Sequence, residues 1–273
     1  MCTVIVGFDP GAEVPLVVAA IRDELLDRPW RRPGRHWPGR PGLVGGLDES
    51  AGGTWLAVAP APGSGAPVPR VGAVLNGRPH AGVPPMGTTV EPGEERISRG
   101  GLPLRAAATG VLGLDPGELR HYEPFHLLAA GPDGARVYGW DGRDFTDHRL
   151  DPGVTVIVNS GLDDTDPRVL RHTPVFARER PTPGSGTLRG ATGPAEIWGA
   201  WLRLLDSAGA GPPRVDGPGA EGGDPSSLLA RVDLGGGRLW ASSSMTLIAC
   251  DREVLRYAFT AAPGAEGSWR MVL

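Results

Sequence analysis

The chain has 273 residues, 40% of them hydrophobic, and a formal net charge of −4, which is enough apolar material to bury a large core. It contains no lysine, so a Schiff-base lysine and a P-loop lysine are excluded. Its two cysteines, Cys2 and Cys250, are too few for a disulfide framework or a four-cysteine zinc site.

The partners and compartment follow from charge and hydropathy. The densest basic stretch, residues 28–40, mixes arginine with proline and tryptophan, and we interpret it as a solvated, partly ordered loop rather than a nucleic-acid surface. No apolar run approaches about 18 residues, and the start lacks a signal-peptide pattern. We therefore expect a cytoplasmic protein with no nucleic-acid partner and no membrane partner; the oligomeric state stays open.

The first half of the chain reads mainly as strands. The β-branched run 3–8 and the apolar run 15–21, separated by Asp9-Pro10-Gly11, predict a hairpin of buried strands. Residues 54–58 and 71–75 predict a second strand pair. The alanine and leucine content of residues 102–112 predicts a helix.

The second half repeats this alternation of strand runs and helices. The sequence predicts a hairpin over 125–129 and 136–140, a strand over 154–158, a helix over 195–207 and a final strand pair over 245–249 and 254–259. Asp163, Asp164 and Asp166 are typical of a helix cap before Pro167. Strands in runs indicate an α+β fold with largely antiparallel sheets.

Two stretches are rich in proline and glycine, residues 178–193 and 209–224, and composition leaves linker, lid and disorder open for both. Gly217-x-Gly219-x-x-Gly222 has the form of a dinucleotide fingerprint, but it contains Pro218 and follows no predicted strand. The six histidines are scattered without ligand spacing, so we predict no metal site.

Cys2 is the residue best suited to act as a catalytic nucleophile. Removal of Met1 would place a thiol and a free α-amino group on one residue, and that amine has an ordinary pKa near 8, so it can act as a base at neutral pH. Considered alone, Cys2 is more often a small residue at the head of a buried strand. Arg22 and Asp23 follow directly after the second predicted strand, so a hairpin would bring them beside Cys2, where they suit a thiolate and an amine.

Longer segments carry a family resemblance. The stretches MCTVIVGFDP, AAIRDELLDRPW, AGGTWLAVAP, RVGAVLN and GVTVIVNSGLDDTDPRV together resemble the NRDE-motif family, the Transport and Golgi organisation protein 2-like proteins. The resemblance implies one N-terminal-nucleophile domain over residues 1–273 with a four-layer αββα sandwich. It also implies remote similarity to penicillin V acylases and bile salt hydrolases.

Carried over residue by residue, the resemblance makes Cys2 the nucleophile, Arg22 the thiolate-stabilising arginine and Asp23 the carboxylate at the α-amine. It makes Asn159 a donor to the oxyanion, and Asn76 is a weaker candidate for a polar substrate contact. Trp55 is a candidate wall of an apolar substrate pocket. The implied activity is hydrolysis or acyl transfer through a Cys2 acyl-enzyme, on a small-molecule amide or thioester substrate and without a cofactor.

The sequence departs from the family pattern in ways that affect substrate contacts. The asparagine that precedes Arg-Asp-Glu in the family is Ile21 here, and Ser243 stands where a late arginine is expected. The resemblance also permits an alternative function, a non-catalytic haem-binding or haem-trafficking protein, in which a lone cysteine or histidine would ligate iron.

Overall fold

The computed structural model describes residues 2–60, 66–80, 96–215 and 223–273. The described strands and helices are, in chain order, β1 (Thr3–Phe8), β2 (Leu16–Leu25), β3 (Trp30–Gly34), β4 (Val44–Asp48), β5 (Leu56–Ala59), β6 (Arg70–Asn76), α1 (Leu102–Thr109), α2 (Pro116–Leu119), β7 (Phe125–Gly131), β8 (Gly134–Trp140), β9 (Phe145–Arg149), β10 (Gly153–Ile157), α3 (Pro167–Arg178), α4 (Ser185–Gly190), α5 (Pro194–Ser207), β11 (Arg231–Asp233), β12 (Leu239–Cys250), β13 (Leu255–Thr260) and β14 (Arg270–Met271).

The chain divides into two compact units that alternate along the sequence. The first unit comprises Met1–Pro29, Pro152–Val158 and Leu162–Leu273, and the second comprises Trp30–Asp151 and Asn159–Gly161. Each unit contains one sheet with its own helices.

The first unit is built on a sheet of order β10-β1-β2-β12-β13-β14, with β11 paired to β12, and these strand pairs are antiparallel. Helices α3, α4 and α5 pack on this sheet, and the core between them includes Phe176, Leu188, Trp198 and Trp201, each at most 1% exposed. The predicted helix 195–207 is confirmed as α5, which is kinked at Gly199 (φ 32°, ψ −95°).

The predicted hairpin at the chain's start is confirmed. Strand β1 is buried along its whole length and pairs with β2 from Thr3 opposite Ile21 to Phe8 opposite Leu16. Strand β2 is longer than predicted, because β12 continues to pair with it as far as Leu25. Arg22 and Asp23 therefore lie within β2 rather than after it.

The second unit contains a seven-stranded meander in sequence order from β3 to β9, and its strand pairs are antiparallel. Helix α1 packs against β5, β6 and β7 through Leu102, Leu104, Ala106 and Ala107. The predicted pairs β5–β6 and β7–β8 are confirmed. Helix α1 ends before the predicted residue 112 because Gly110 adopts a left-handed conformation (φ 84°) that terminates it.

Three stretches whose composition suggests loops contain ordered structure among the described residues. The basic stretch 28–40 is not a loop throughout, because β3 occupies part of it and pairs with β4. The stretch 178–193 contains α4, which is anchored by buried Leu188 and by a hydrogen bond from the Ser185 amide to Glu13. In the stretch 209–224, Arg214 is buried and forms an isolated parallel β-bridge with Ala230. The motif Gly217-x-Gly219-x-x-Gly222 lies outside the described residues.

The fold is therefore α+β with mostly antiparallel sheets, as the sequence predicts. The helix cap before Pro167 is confirmed at Asp166, whose side chain accepts a hydrogen bond from the Arg168 amide. The four-layer sandwich and the single N-terminal-nucleophile domain stay predictions.

Candidate functional site

The first unit brings three of the predicted site residues together. Cys2 directly precedes β1, and the register that places Thr3 opposite Ile21 brings the thiol to the part of β2 that holds Arg22 and Asp23. The Cys2 thiol is half-buried, and its Sγ lies 4.0 Å from the carbonyl oxygen of Asp23. A thiol, a carboxylate and a guanidinium thus share one end of the first hairpin.

The Asp23 carboxylate is buried and hydrogen-bonded on both oxygens. Its Oδ2 lies 2.7 Å from Nη2 of Arg214, and its Oδ1 accepts a hydrogen bond from Oγ of Ser242 at 2.6 Å. The side chains of Asp23 and Arg214 are 0% and 2% exposed. Burial raises the pKa of the Asp23 carboxyl, and the Arg214 guanidinium and the Ser242 hydroxyl act in the opposite direction.

Arg22 is held by a bulge in the neighbouring strand. The register of β12 against β2 shifts between Ser242 and Ser244, so Ser243 is the extra residue. Its Oγ accepts a hydrogen bond from Nη1 of Arg22 at 3.0 Å and donates one to the Arg22 carbonyl oxygen at 3.2 Å. Nη2 of Arg22 also lies 3.5 Å from Glu24. The bulge therefore fixes a buried cation beside Asp23.

Electrostatics distinguishes the two cysteines. Burial raises the pKa of the Cys2 thiol, and the Asp23 carboxylate adds to this rise, whereas the N-terminal ammonium and the Arg22 guanidinium lower it. Cys250 is 0% exposed at the end of β12, and burial raises its pKa strongly. Because its pKa is raised, the Cys2 thiol is mostly protonated at neutral pH, and it needs a nearby base to act as a nucleophile.

A second buried ion pair anchors the start of β1. Arg168 is 1% exposed on α3, forms a two-point ion pair with Asp166 at 3.0 and 2.9 Å, and donates a third hydrogen bond to Oγ1 of Thr3 at 3.1 Å. Burial acts to raise the pKa of Asp166, but the hydrogen bonds from Arg168 outweigh burial and the net shift is downward. The residue next to Cys2 is thereby tied to α3.

The two predicted asparagines lie together in the second unit. Nδ2 of Asn159 donates a hydrogen bond to the carbonyl oxygen of Asn76 at 2.6 Å, and Asn159 is 3% exposed. The His126 ring hydrogen-bonds the Asn159 backbone, and burial lowers the pKa of that imidazole. The oxyanion role that the resemblance gives Asn159 stays a prediction.

Trp55 also belongs to the second unit. Its ring meets that of Trp30 edge-on at 5.8 Å, and it covers Gly46 so closely that a Cβ there would lie 2.2 Å from the indole. The carbonyl oxygen of Trp55 accepts a hydrogen bond from the Val74 amide. These contacts fix the indole within the second unit, and its substrate role stays a prediction.

Sequence reasoning missed three residues of the first-unit site, Arg168, Arg214 and Ser242. Arg214 lies in a proline- and glycine-rich stretch, where nothing local signals a buried guanidinium. Arg168 carried the best signal, because it follows the predicted cap residue Asp166 by two positions and a capping carboxylate often pairs with a cation. Ser242 is one of three consecutive serines, and only the strand register shows which one faces Asp23.

One group of side chains in the second unit has the spacing of metal ligands. The ligand atoms of His80, Asp141 and Asp144 all lie within 4.8 Å of one another. Oδ1 of Asp141 also accepts hydrogen bonds from the amides of Arg143 and Asp144, which is ordinary turn geometry. The predicted absence of a metal site stays a prediction.

The family model described as Transport and Golgi organisation 2 matches residues 1–178. The chain belongs to the Transport and Golgi organisation 2 family. The match includes every site residue predicted from the sequence, whereas Arg214, Ser242 and Ser243 of this Transport and Golgi organisation 2 family member follow the matched region. The Asp23 site is therefore completed by residues beyond the family match.

The comparison with curated proteins found no significant match to this family member. Across the described residues, no helix combines the length and apolar character needed to cross a membrane.

Proposed function

We propose that the protein is an N-terminal cysteine amide hydrolase or acyltransferase that acts on a small amide or thioester through an acyl-enzyme on Cys2. The observation that supports this proposal best is the half-buried Cys2 thiol, which lies 4.0 Å from the Asp23 carbonyl oxygen and whose pKa is influenced by the buried Asp23 carboxylate and the buried Arg22 guanidinium. These groups supply the nucleophile, an anchor for an amine and a cation for a thiolate.

In the acylation step, Cys2 with a free α-amino group transfers its thiol proton to that amine and attacks the substrate carbonyl carbon. The carbon–sulfur bond forms while the carbonyl oxygen becomes an oxyanion. When the tetrahedral intermediate collapses, the bond from carbon to the leaving nitrogen or sulfur breaks, and the α-ammonium returns the proton to the leaving group.

In the second step, water or an acceptor amine attacks the thioester carbon, with the α-amine taking the attacking proton. Collapse breaks the carbon–sulfur bond and returns the proton to Cys2, which releases an acid or a new amide. The α-amine is needed as a base in the acylation step as well, because the raised pKa leaves the Cys2 thiol protonated at neutral pH.

Arg22 and Asp23 have separate roles in this scheme. The Arg22 guanidinium lowers the pKa of the Cys2 thiol and so favours the thiolate that forms during attack. The Asp23 carboxylate accepts a hydrogen bond from the α-amino group and orients its lone pair toward the thiol proton.

The test begins with the intact mass of the purified protein before and after brief iodoacetamide treatment at neutral pH. Loss of Met1 with one fast adduct on Cys2 is the expected result. The control is Cys250→Ala, which removes the buried thiol and leaves the Cys2 adduct unchanged. A screen of small amides and thioesters then compares this control with Cys2→Ala, which is expected to abolish turnover.

Full activity of a folded Cys2→Ala variant, or retention of Met1, contradicts the proposal. In that case, a hemin titration of the protein that shifts the Soret band at micromolar protein would favour the haem-binding alternative.

A further inference from the structure

The Asp23 carboxylate is held from two sides by residues far along the chain. Arg214 pairs with Oδ2 at 2.7 Å and Ser242 donates to Oδ1 at 2.6 Å, while the Asp23 side chain is 0% exposed. We propose that Arg214 and Ser242 are positioning residues that keep Asp23 ionised and oriented for the α-amino group of Cys2. This inference rests on the proposed function, since the amine exists on Cys2 only after Met1 is removed.

A carboxylate at this depth requires a cation. An isolated buried carboxylate takes up a proton instead of remaining charged, and a neutral acid binds an ammonium poorly. The Arg214 guanidinium meets this need, and burial of both partners strengthens their attraction.

Arg214 is itself fixed by the surrounding backbone. Its Nη1 donates to the carbonyl oxygen of Ser227 at 2.9 Å, and its amide donates to the carbonyl oxygen of Leu229 at 2.7 Å. Its own carbonyl oxygen accepts from the Arg231 amide at 3.0 Å. The guanidinium therefore arrives at Asp23 from an ordered backbone.

The Ser242 hydroxyl has a defined direction. Its Oγ accepts a hydrogen bond from the Ala230 amide at 2.9 Å, so the hydroxyl proton is available for Oδ1 of Asp23. A carboxylate offers about four lone-pair sites, so these two contacts orient the group and leave capacity for an amine.

The charged groups facing Asp23 come from several elements. The Cys2 thiol approaches from the start of β1, and Arg22 and Glu24 flank Asp23 on β2. Arg214 approaches from the segment before β11, and Ser242 adds a hydroxyl from β12. Among these groups, Arg214 forms the short ion pair with the carboxylate, so its removal is the sharpest test.

The experiment measures the rate of Cys2 alkylation by iodoacetamide against pH in a Cys250→Ala background, with Met1 removal checked by mass. The variants are Arg214→Met, Arg214→Lys, Asp23→Asn and the double variant Arg214→Met/Asp23→Asn. Since ionised Asp23 raises the pKa of the thiol, its titration appears as a step in the profile.

In the parent, we expect Arg214 to keep Asp23 charged between about pH 5 and 7, so the logarithm of the rate should rise with slope one across this window. In Arg214→Met, Asp23 titrates within this window, and its ionisation raises the pKa of the Cys2 thiol. The rate therefore rises less steeply there and ends about tenfold below the slope-one line for each unit by which ionised Asp23 raises the thiol pKa. Arg214→Lys keeps the parent profile, and the double variant loses the step. A folded Arg214→Met variant without a step overturns the inference.

Turnover supplies a second measurement that does not depend on the folding of the single variant Arg214→Met, because it compares the double variant with Asp23→Asn. In the double variant, position 23 holds a neutral amide that needs no cation, and the kcat on an amide substrate is expected to equal that of Asp23→Asn, about 10²-fold below the parent. A further loss in the double variant would show that Arg214 acts elsewhere and overturn the inference. The inflection in the alkylation profile is measured without substrate turnover. An active Cys2→Ala variant would therefore contradict the proposed function but leave this inflection, and the positioning role of Arg214, in place.

Discussion

Nη1 of Arg168 lies 3.1 Å from Oγ1 of Thr3, and this hydrogen bond joins α3 to the first residue of β1. Arg168 is simultaneously paired with Asp166 through two hydrogen bonds, and both side chains are at most 9% exposed. The contact fixes the backbone that carries Cys2, because Thr3 is its neighbour. Positioning of the proposed nucleophile therefore depends on a buried ion pair whose arginine is 165 residues from Thr3 in sequence.

Replacing Arg168 by methionine is expected to lower the free energy of unfolding by about 3–5 kcal/mol, because the Asp166 carboxylate is left buried without its cation. Urea denaturation at pH 7 measures the change. The control on the same helix is Arg178→Met, whose side chain is 70% exposed and pairs with its sequence neighbour Glu179. The control is expected to stay within about 0.5 kcal/mol of the parent. Equal effects of both substitutions would contradict the anchoring role of Arg168.

Arg22 offers a prediction about thiol reactivity. Its guanidinium lowers the pKa of the Cys2 thiol, so Arg22→Met raises that pKa and reduces the thiolate fraction at neutral pH. We expect alkylation of Cys2 to slow about tenfold at pH 7 for each unit of pKa change and to converge with the parent rate well above the thiol pKa.

Arg22→Lys retains the positive charge and is the matched control, with an expected rate close to the parent. A methionine variant that reacts as fast as the parent at pH 7 would exclude Arg22 as the cation that stabilises the thiolate.

The first hairpin was accessible to sequence reasoning because its signals are local. Strands β1 and β2 are continuous apolar runs on either side of an Asp-Pro-Gly turn, and pairing them brings Cys2 to Arg22 and Asp23 without any knowledge of the rest of the chain. The extent of β2 was not predictable in this way, because its last residues pair with β12 despite being charged.

The partners of Asp23 could not be predicted, because they depend on contacts that are distant in sequence. Arg214 is 191 residues from Asp23 and lies in a stretch whose proline and glycine content predicts a loose loop. Strand β3 was missed for a different reason. Its central arginines, Arg31 and Arg32, are exposed, so the strand has no apolar alternation and is defined by its pairing with β4.

Gly161 provides a test of the turn that carries Asn159. Gly161 has φ 87°, and an added Cβ would lie 2.7 Å from Cε1 of His126. Gly161→Ala is expected to destabilise the protein by about 2–4 kcal/mol through backbone strain and this clash.

The matched control is Gly186→Ala in α4, where an added Cβ meets nothing within 4 Å. This control is expected to be neutral or to stabilise by up to about 1 kcal/mol, as alanine does in a helix. Thermal or urea unfolding of both variants measures the difference, and a neutral Gly161→Ala would contradict the close packing of His126 against the turn.

His172 predicts how stability depends on pH. Its Nε2 donates to the carbonyl oxygen of Ser226 at 2.8 Å, and burial lowers the pKa of the imidazole below its value in the unfolded chain. Between the lower folded pKa and the unfolded pKa near 6.5, the unfolded chain binds more protons, so the free energy of unfolding falls as the pH falls through this window. Above the window, His172 contributes no pH dependence.

His172→Gln keeps a donor for Ser226 and removes the titration, so its stability should fall less than that of the parent between pH 7.5 and 5.5, a window about the unfolded pKa. Urea denaturation at the two pH values measures this loss, and His148→Gln, at an exposed position of β9, is the control with the parent's full loss. A His172→Gln variant that loses as much stability as the control would show that His172 is not the titrating group.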